Sequence, residues 1–302
     1  MTATSTTTSS STPEPITRPT DRRRNRSSGE TSFAVGSHAV LVLWSALVVL
    51  PLLWTLMTSF KTTSQIFASP FSFPTSLNLQ NYVNAWTTAG IGRQFINTVS
   101  VVGSALIVVM ILGAMCAYVL ARYSFPGNRL IYYAMLAGLT FPIFLAIVPL
   151  FFTLQNFGLL NTLPGLAITY VAFALPFTVF FLFSFFKTLP DEVAEAAALD
   201  GAGEWQTFFL VMLPMARSGI ASVLIFNFLG LWNQFLIPVA LNTNVDNYVL
   251  SQGIARFAAQ AGYAVDFGAL FAAVVITVVP VLIVYVIFQR QLQGSVSQGT
   301  SK

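Results

Sequence analysis

An acidic, alanine-rich stretch, here called the acidic loop (residues 187–218), holds the side chains best suited to charged contacts with another protein. Half of the chain's ten acidic residues lie in it. Carboxylates on a short helix can pair with basic groups of a partner through charge-assisted hydrogen bonds. On local sequence alone, an ordinary solvated amphipathic loop with acidic caps is an equally good interpretation. The acidic residues of the loop are Asp191, Glu192, Glu195, Asp200 and Glu204.

The local pattern of the acidic loop predicts two short helices joined by a glycine bend. The segment Thr188–Asp191 is typical of a helix start, since a proline is tolerated in the first turn and acidic residues suit the helix dipole there. The alanine-rich run that follows favours helix, and Gly201 is a typical C-terminal stop. A second helix is expected from about Glu204, ending before Pro214.

The composition predicts an integral membrane protein that is not an enzyme. Of its 302 residues, 55% are apolar and only 8% are charged, whereas soluble domains average about 25% charged residues. The single cysteine, Cys116, predicts neither a disulfide framework nor a metal site. No GxxxxGK[ST] phosphate-binding loop occurs, so we expect no cofactor here and no ATP hydrolysis of the P-loop type. If the chain takes part in active transport, the energy must enter through another subunit.

Six apolar segments are each long enough to cross about 30 Å of hydrocarbon. They are predicted as transmembrane helices within a membrane domain of residues 35–290. The Ser/Thr-rich residues 1–34 are expected to be a disordered tail, and residues 291–302 a short second tail. The six predicted spans are residues 36–60, 97–121, 131–154, 163–186, 219–241 and 267–289.

The basic residues predict the orientation of these spans. With both termini in the cytoplasm, eleven of the 14 Lys and Arg residues lie inside, as the positive-inside rule requires. The acidic loop is then cytoplasmic. Orientation accounts for the net positive charge, so no nucleic-acid partner is expected. The three basic residues left outside are Lys61, Arg93 and Arg256.

The predicted spans contain no Asp, Glu, Lys or Arg. Proton-coupled carriers and ion pumps normally keep such groups inside the membrane, so this absence argues against a stand-alone secondary carrier. It also leaves no acid, base or nucleophile with a partner for an intramembrane enzyme.

Several motifs agree with one family. These motifs are Glu195-Ala196-Ala197, Asp200-Gly201-Ala202, Leu213-Pro214, the segment from Pro70 to Trp86, Asn97-Thr98, Gly158 to Thr162, Trp232 to Phe235 and Gln289-Arg290. The first three together resemble the EAA loop of binding-protein-dependent ABC importer permeases. With the others, the chain is similar to the MalG-like branch of these permeases over residues 40–295. The chain departs from the family at Phe183-Ser184, at Ser218 and in its C-terminal tail.

The resemblance implies an all-α membrane protein of the MetI-like fold, with six transmembrane helices, in the plasma membrane of a bacterium. It also implies three partners: a MalF-like second permease, a cytoplasmic ABC ATPase dimer and an extracytoplasmic sugar-binding protein. The helix at about residues 190–199 would dock on the ATPase. The residues expected to couple it are Glu195, Ala196, Ala197, Asp200, Gly201, Ala202 and Pro214.

Two other polar groups are candidate sites. Asn227 and Gln234 are seven residues apart, hence on one face of a continuous helix, with Asn233 beside them. These amides either line the transport pathway or join helices, which is their commoner use. The outer loop 242–266 is a candidate docking surface for the binding protein. Its polar and aromatic residues are Asn244, Asp246, Asn247, Tyr248, Gln252, Arg256 and Tyr263.

Three functions are consistent with these patterns. The first is the permease subunit of an ATP-driven sugar importer. The second is an ABC importer permease for another solute, such as glycerol-phosphate or a peptide. The third is a stand-alone secondary carrier or channel, which would transport without ATP as a purified chain.

Overall fold

The structure, a computed structural model, describes residues 28–259 and 266–298, and every regular element in these residues is helical. The chain divides into two compact units, residues 1–51 and 52–302. The helices are α1 (Ser28–Thr58), α2 (Thr63–Ala68), α3 (Gln80–Trp86), α4 (Ile91–Arg122), α5 (Asn128–Thr140), α6 (Ile143–Asn156), α7 (Leu163–Thr188), α8 (Asp191–Leu199), α9 (Glu204–Gln206), α10 (Leu213–Met215), α11 (Arg217–Trp232), α12 (Leu236–Leu241), α13 (Leu250–Ala259) and α14 (Phe267–Gln298). A π-helical segment, Thr207–Met212, joins α9 to α10, and Val245–Asn247 form a 3₁₀ turn.

Within the described residues, four helices are long and apolar enough to cross a membrane, and the number rises to six if each of two bent pairs counts as one span. The four are Val35–Thr58 of α1, α4, α7 and Phe267–Gln289 of α14. Helix α1 begins at Ser28 and α14 ends at Gln298, so each extends into a segment predicted as a tail. The remaining parts of those tails, 1–27 and 299–302, lie outside the described residues.

The third predicted span is not one straight helix, which corrects the sequence-based expectation. Helices α5 and α6 meet at an angle of 105° across Phe141 and Pro142. Proline disfavours helical backbone in the residue before it, and Phe141 is extended with φ −72° and ψ 119°. The apolar run 131–154 is therefore divided into two short helices.

The fifth predicted span is also discontinuous. Helix α11 ends at Trp232, and Asn233 to Phe235 separate it from α12. Pro238 has no N–H to donate to the carbonyl of Gln234, four residues earlier. That carbonyl instead accepts a hydrogen bond of 2.8 Å from the hydroxyl of Ser251. This hydrogen bond connects the break between α11 and α12 to α13.

Helices α4 and α7 form the central seam of the second unit. Gly113 of α4 lies directly against Thr178 of α7, so that a β-carbon at Gly113 would collide with the threonine side chain. Small residues of this kind let membrane helices approach closely. Buried residues of both helices, with Trp232 and Val223 of α11, fill the core on either side of this contact.

The segment 242–259, at the end of α4 opposite the acidic loop, is held to the bundle by buried amides. The Asn97 side chain donates to the carbonyls of Asp246 and Tyr248 at 3.0 and 2.9 Å. Gln252 donates to the carbonyls of Pro238 and Asn242 at 3.1 and 2.7 Å. Four of the polar residues expected to face a docking partner therefore serve internal contacts: Asp246 and Tyr248 by their carbonyls, and Asn247 and Gln252 by their side chains. Tyr263 lies outside the described residues.

Candidate functional site

The first helix of the acidic loop forms where the sequence predicts it, but it starts differently. Helix α8 runs from Asp191 to Leu199, preceded by Pro190 in extended backbone without a side-chain cap. The expected start at Thr188 is wrong, because Thr188 is the last residue of α7 and its hydroxyl donates to the Phe185 carbonyl at 2.7 Å. The two helices are thus separated by only two residues.

The glycine bend is confirmed, and its geometry explains why glycine stands there. Gly201 has φ +84°, in the left-handed region. The N–H of Gly201 donates to the Ala198 carbonyl at 3.1 Å, and the N–H of Ala202 donates to the Ala197 carbonyl at 2.9 Å. This pair of bonds is the Schellman motif, which satisfies the last carbonyls of a helix.

The second helix continues through Pro214, so the expectation that it ends before that residue is wrong. The backbone passes from α9 into the π-helical segment Thr207–Met212 and then into α10, where Pro214 is exposed. A proline removes one N–H donor and crowds the preceding turn. The wider π turn just before it makes room for the proline without ending the helix.

A buried arginine ties the acidic loop to the end of α4. The side chain of Arg122 is only 8% exposed. It forms an ion pair with Asp191, the first residue of α8, and donates to the Leu189 carbonyl at 2.7 Å. Because one guanidinium holds both the end of α7 and the start of α8, the orientation of α8 depends on α4.

An aromatic cluster makes a second connection between α4 and the loop. Tyr118 packs against Phe208 and Phe186, with ring centroids 5.0 and 5.5 Å apart. The hydroxyl of Tyr123 donates to the Glu204 carboxylate. Partial burial and that hydrogen bond raise the pKa of Tyr123 well above its usual value.

The outward face of the loop carries both carboxylates and exposed apolar side chains. Leu199 is 90% exposed, and Trp205 stacks on Phe209 at 6.0 Å in a partly exposed pair. Glu195 and Asp200 are exposed and have no ion-pair partner among the described residues. Ala196 is also exposed, whereas Ala197 and Ala202 are half-buried. Large apolar side chains beside unpaired charges are typical of a protein-binding surface.

The three amides proposed for the pathway do not share one environment. Asn227 is buried and donates to the Thr178 hydroxyl at 2.8 Å, which joins α11 to α7. Asn233 is exposed and donates to the Leu229 carbonyl at 2.9 Å. Gln234 lies beyond the end of α11, where its side chain accepts from the Phe235 N–H. The expected common helical face is wrong, since the helix stops between them.

Comparison with known families matches residues 109–298 to the binding-protein-dependent transport system inner membrane components. This range contains the acidic loop, its Schellman turn and the helices that hold it. The chain belongs to this family. The permease resemblance and the all-α MetI-like fold expected from the sequence are thereby confirmed.

Individual relatives of this permease extend the comparison over nearly the whole chain. It is 67% identical to the diacetylchitobiose uptake system permease protein NgcG of Streptomyces coelicolor, with 92% of each chain covered. It is 30% identical to the trehalose transport system permease protein SugB of Mycobacterium tuberculosis, with 84% and 92% covered. A bacterial ABC transporter involved in alginate import shares the fold, with a TM-score of 0.77 at 18% identity over 87% and 98% of the chains.

The residues that hold the permease's acidic loop in place were not identified from the sequence. In the sequence Arg122 indicates only a cytoplasmic charge, because its partner Asp191 lies 69 positions further along the chain. Tyr118 and Phe208 were not distinguished from the many other aromatic residues. The available signal was Arg122 itself, a basic residue at the very end of a span, where it can meet an acidic helix start.

Asn227→Leu is expected to leave sugar selectivity unchanged in a reconstituted importer. The variant loses an interhelical hydrogen bond to Thr178, worth about 1 kcal/mol in membrane bundles, and a weaker one to the Met110 sulfur at 3.8 Å. We therefore expect a slightly lower thermal midpoint and an uptake rate within about threefold of the original. Competition uptake with several sugars checks this. A change in sugar preference would instead place Asn227 in the pathway.

Proposed function

We propose that this chain is the permease subunit of an ATP-driven, binding-protein-dependent sugar importer in a bacterial membrane. It would form the translocation pathway together with a second, MalF-like permease. The energy would come from a separate cytoplasmic ABC ATPase dimer, and an extracytoplasmic binding protein would deliver the sugar. The observation that carries the proposal is the exposed acidic loop, held by Arg122 to a membrane-spanning helix.

The arrangement of the loop supports docking on an ATPase. Glu195 of α8 and Asp200 just after it have no ion-pair partner among the residues that the structure describes, and Leu199 projects almost fully into solvent. A moving partner can transmit a conformational change only through a contact that persists in both states. The contacts of Arg122 and Tyr118 make the loop a continuation of the bundle rather than a free tether. This loop and both chain termini would lie in the cytoplasm.

The relatives of this chain favour a sugar as the transported solute. They include a diacetylchitobiose permease at 67% identity, a trehalose permease at 30% and the multiple sugar-binding transport system permease protein MsmG of Streptococcus mutans at 30%. We propose an N-acetylated chito-disaccharide as the transported sugar. Uptake of labelled diacetylchitobiose by the reconstituted importer tests this. If excess unlabelled trehalose suppresses this uptake but excess unlabelled diacetylchitobiose does not, the proposal is contradicted.

Gly201→Val is expected to lower sugar-stimulated ATPase activity of the complete importer roughly tenfold, while Gly201→Asn keeps it within about twofold. A side chain at φ +84° costs about 1–2 kcal/mol, and β-branched residues fit there worst, whereas asparagine tolerates this region. No atom lies within 4 Å of a β-carbon at this position, so backbone strain alone separates the two variants.

The position of Gly201 makes the readout specific for docking. If Gly201→Val is assembled in the membrane and shows unchanged ATPase stimulation and transport, the acidic loop is not the coupling element. Equal losses in both variants would also contradict the proposal, because asparagine preserves the Schellman turn.

A further inference from the structure

A basic cavity of about 640 Å³ lies where α4 ends, α5 begins and α7 ends. Its walls include three cationic side chains and no carboxylate. The three cations are Arg122, Arg129 and Lys187. The cavity is on the same side of the bundle as the acidic loop but faces the turn 123–127 rather than α8.

The cations of this cavity are only partly neutralised by the protein. Arg122 pairs with Asp191, yet its buried Nε–H has no acceptor among the described residues. Arg129 and Lys187 are exposed and form no ion pair within the described part of the chain. The Lys187 Nζ lies 5.9 Å from the centroid of the Phe183 ring. An anion entering the cavity would therefore meet two unpaired positive charges.

The backbone adds to the positive potential. Helix α5 begins at Asn128, after Gly127 in the left-handed region, and has no side-chain cap. The Asn128 side chain instead donates to the carbonyls of Leu120 and Tyr123 at 3.0 and 2.7 Å, which fixes the turn. The free N–H groups of an uncapped helix start favour phosphate and other anions.

The cavity opens beside apolar surface. Leu130 at its edge is 75% exposed, and Ile131 and Tyr133 on the same helix are 39% and 61% exposed. A phosphate group held among cations with hydrocarbon surface alongside matches the two parts of a phospholipid. A soluble phosphate would use only the first of these features.

We propose that this cavity binds the phosphate headgroup of an anionic phospholipid, with an acyl chain lying along the exposed face of α5. Only the choice of membrane leaflet, the cytoplasmic one, rests on the proposed function. Because Arg122 lines the cavity and also holds Asp191 and Leu189, the lipid lies against the connection that orients the acidic loop.

The test uses the complete importer reconstituted in nanodiscs of phosphatidylcholine with added phosphatidylglycerol. Lipid that stays bound after detergent extraction is counted by native mass spectrometry. We expect the original protein to retain phosphatidylglycerol. In the double variant R129Q/K187Q we expect retention to fall roughly tenfold, since each basic residue near a membrane surface contributes to anion binding. Both residues are exposed, so folding should be preserved, and R129K/K187R should keep retention.

R217Q is the matched control, because Arg217 is an exposed arginine on the same side of the bundle but outside the cavity. Unchanged retention in R129Q/K187Q, or an equal loss in R217Q, would overturn the site. Binding of inorganic phosphate to the importer without any retention of phosphatidylglycerol would show a site for free phosphate instead of lipid. Retention is measured without transport, so failure of the proposed function would appear separately, as absent sugar stimulation with lipid still bound.

Discussion

Arg122→Gln is expected to reduce sugar-stimulated ATPase activity of the reconstituted importer roughly 30-fold. The guanidinium is 8% exposed and makes one charged contact with Asp191 and one with the Leu189 carbonyl. Loss of hydrogen bonds to a charged group costs about 2 kcal/mol or more, which frees α8 from its fixed orientation on α4. The basal ATPase rate, which under the proposed function belongs to a separate subunit, should remain.

Two variants separate this role from simple loss of charge. Asp191→Asn should lower the stimulated rate much less, since the Asp191 side chain is 82% exposed and the Leu189 contact of Arg122 survives. Arg217→Gln removes a positive charge from the same side without touching Arg122. If Arg122→Gln inserts normally and responds to sugar like the original protein, Arg122 does not position the loop.

Asn97→Leu is expected to cause a large loss of stimulation by the sugar-binding protein, roughly tenfold or more. The Asn97 amide is 8% exposed and is the donor to two carbonyls of the 242–259 segment, at 3.0 and 2.9 Å. Removing the donor from two partly buried carbonyls costs about 1–2 kcal/mol, which should release the segment from α4. The measurements are binding-protein-stimulated ATPase activity and the thermal midpoint.

Arg93→Gln is the control for that prediction, because it removes a contact with the same segment that is open to solvent. Arg93 and Asp246 are 67% and 69% exposed, and exposed ion pairs contribute below about 1 kcal/mol. We expect at most a twofold effect. An Asn97→Leu importer that behaves like Arg93→Gln would show that the segment does not need its buried amide.

The helical parts of the acidic loop could be predicted because their signals are local. Gly201 follows an alanine-rich run, and the left-handed turn that glycine permits forms from neighbouring residues alone. The contact between Arg122 and Asp191 could not be predicted in the same way. It depends on how α4 and α7 cross, and the small residue Gly113 that allows their approach looks like any other glycine in an apolar run.

Breaks in the apolar segments were harder to predict than the segments themselves. Hydropathy sums over a window and is insensitive to a change of direction within it. Pro142 and Pro176 lie in equally apolar surroundings, yet the chain bends by 105° at the first, whereas α7 continues through the second. Pro214 likewise sits within a helix because a π turn precedes it. Neighbouring packing, absent from a single sequence, decides between these outcomes.

Helix α4 carries an arginine–aspartate contact near each end, Arg93 with Asp246 and Arg122 with Asp191. At a rise of 1.5 Å per residue the two arginines are about 44 Å apart along one uninterrupted helix. A stiff rod that tilts about its middle moves its two ends in opposite directions. We therefore expect that grafting either surface loop from another permease displaces the opposite loop, unless α4 is exchanged as well.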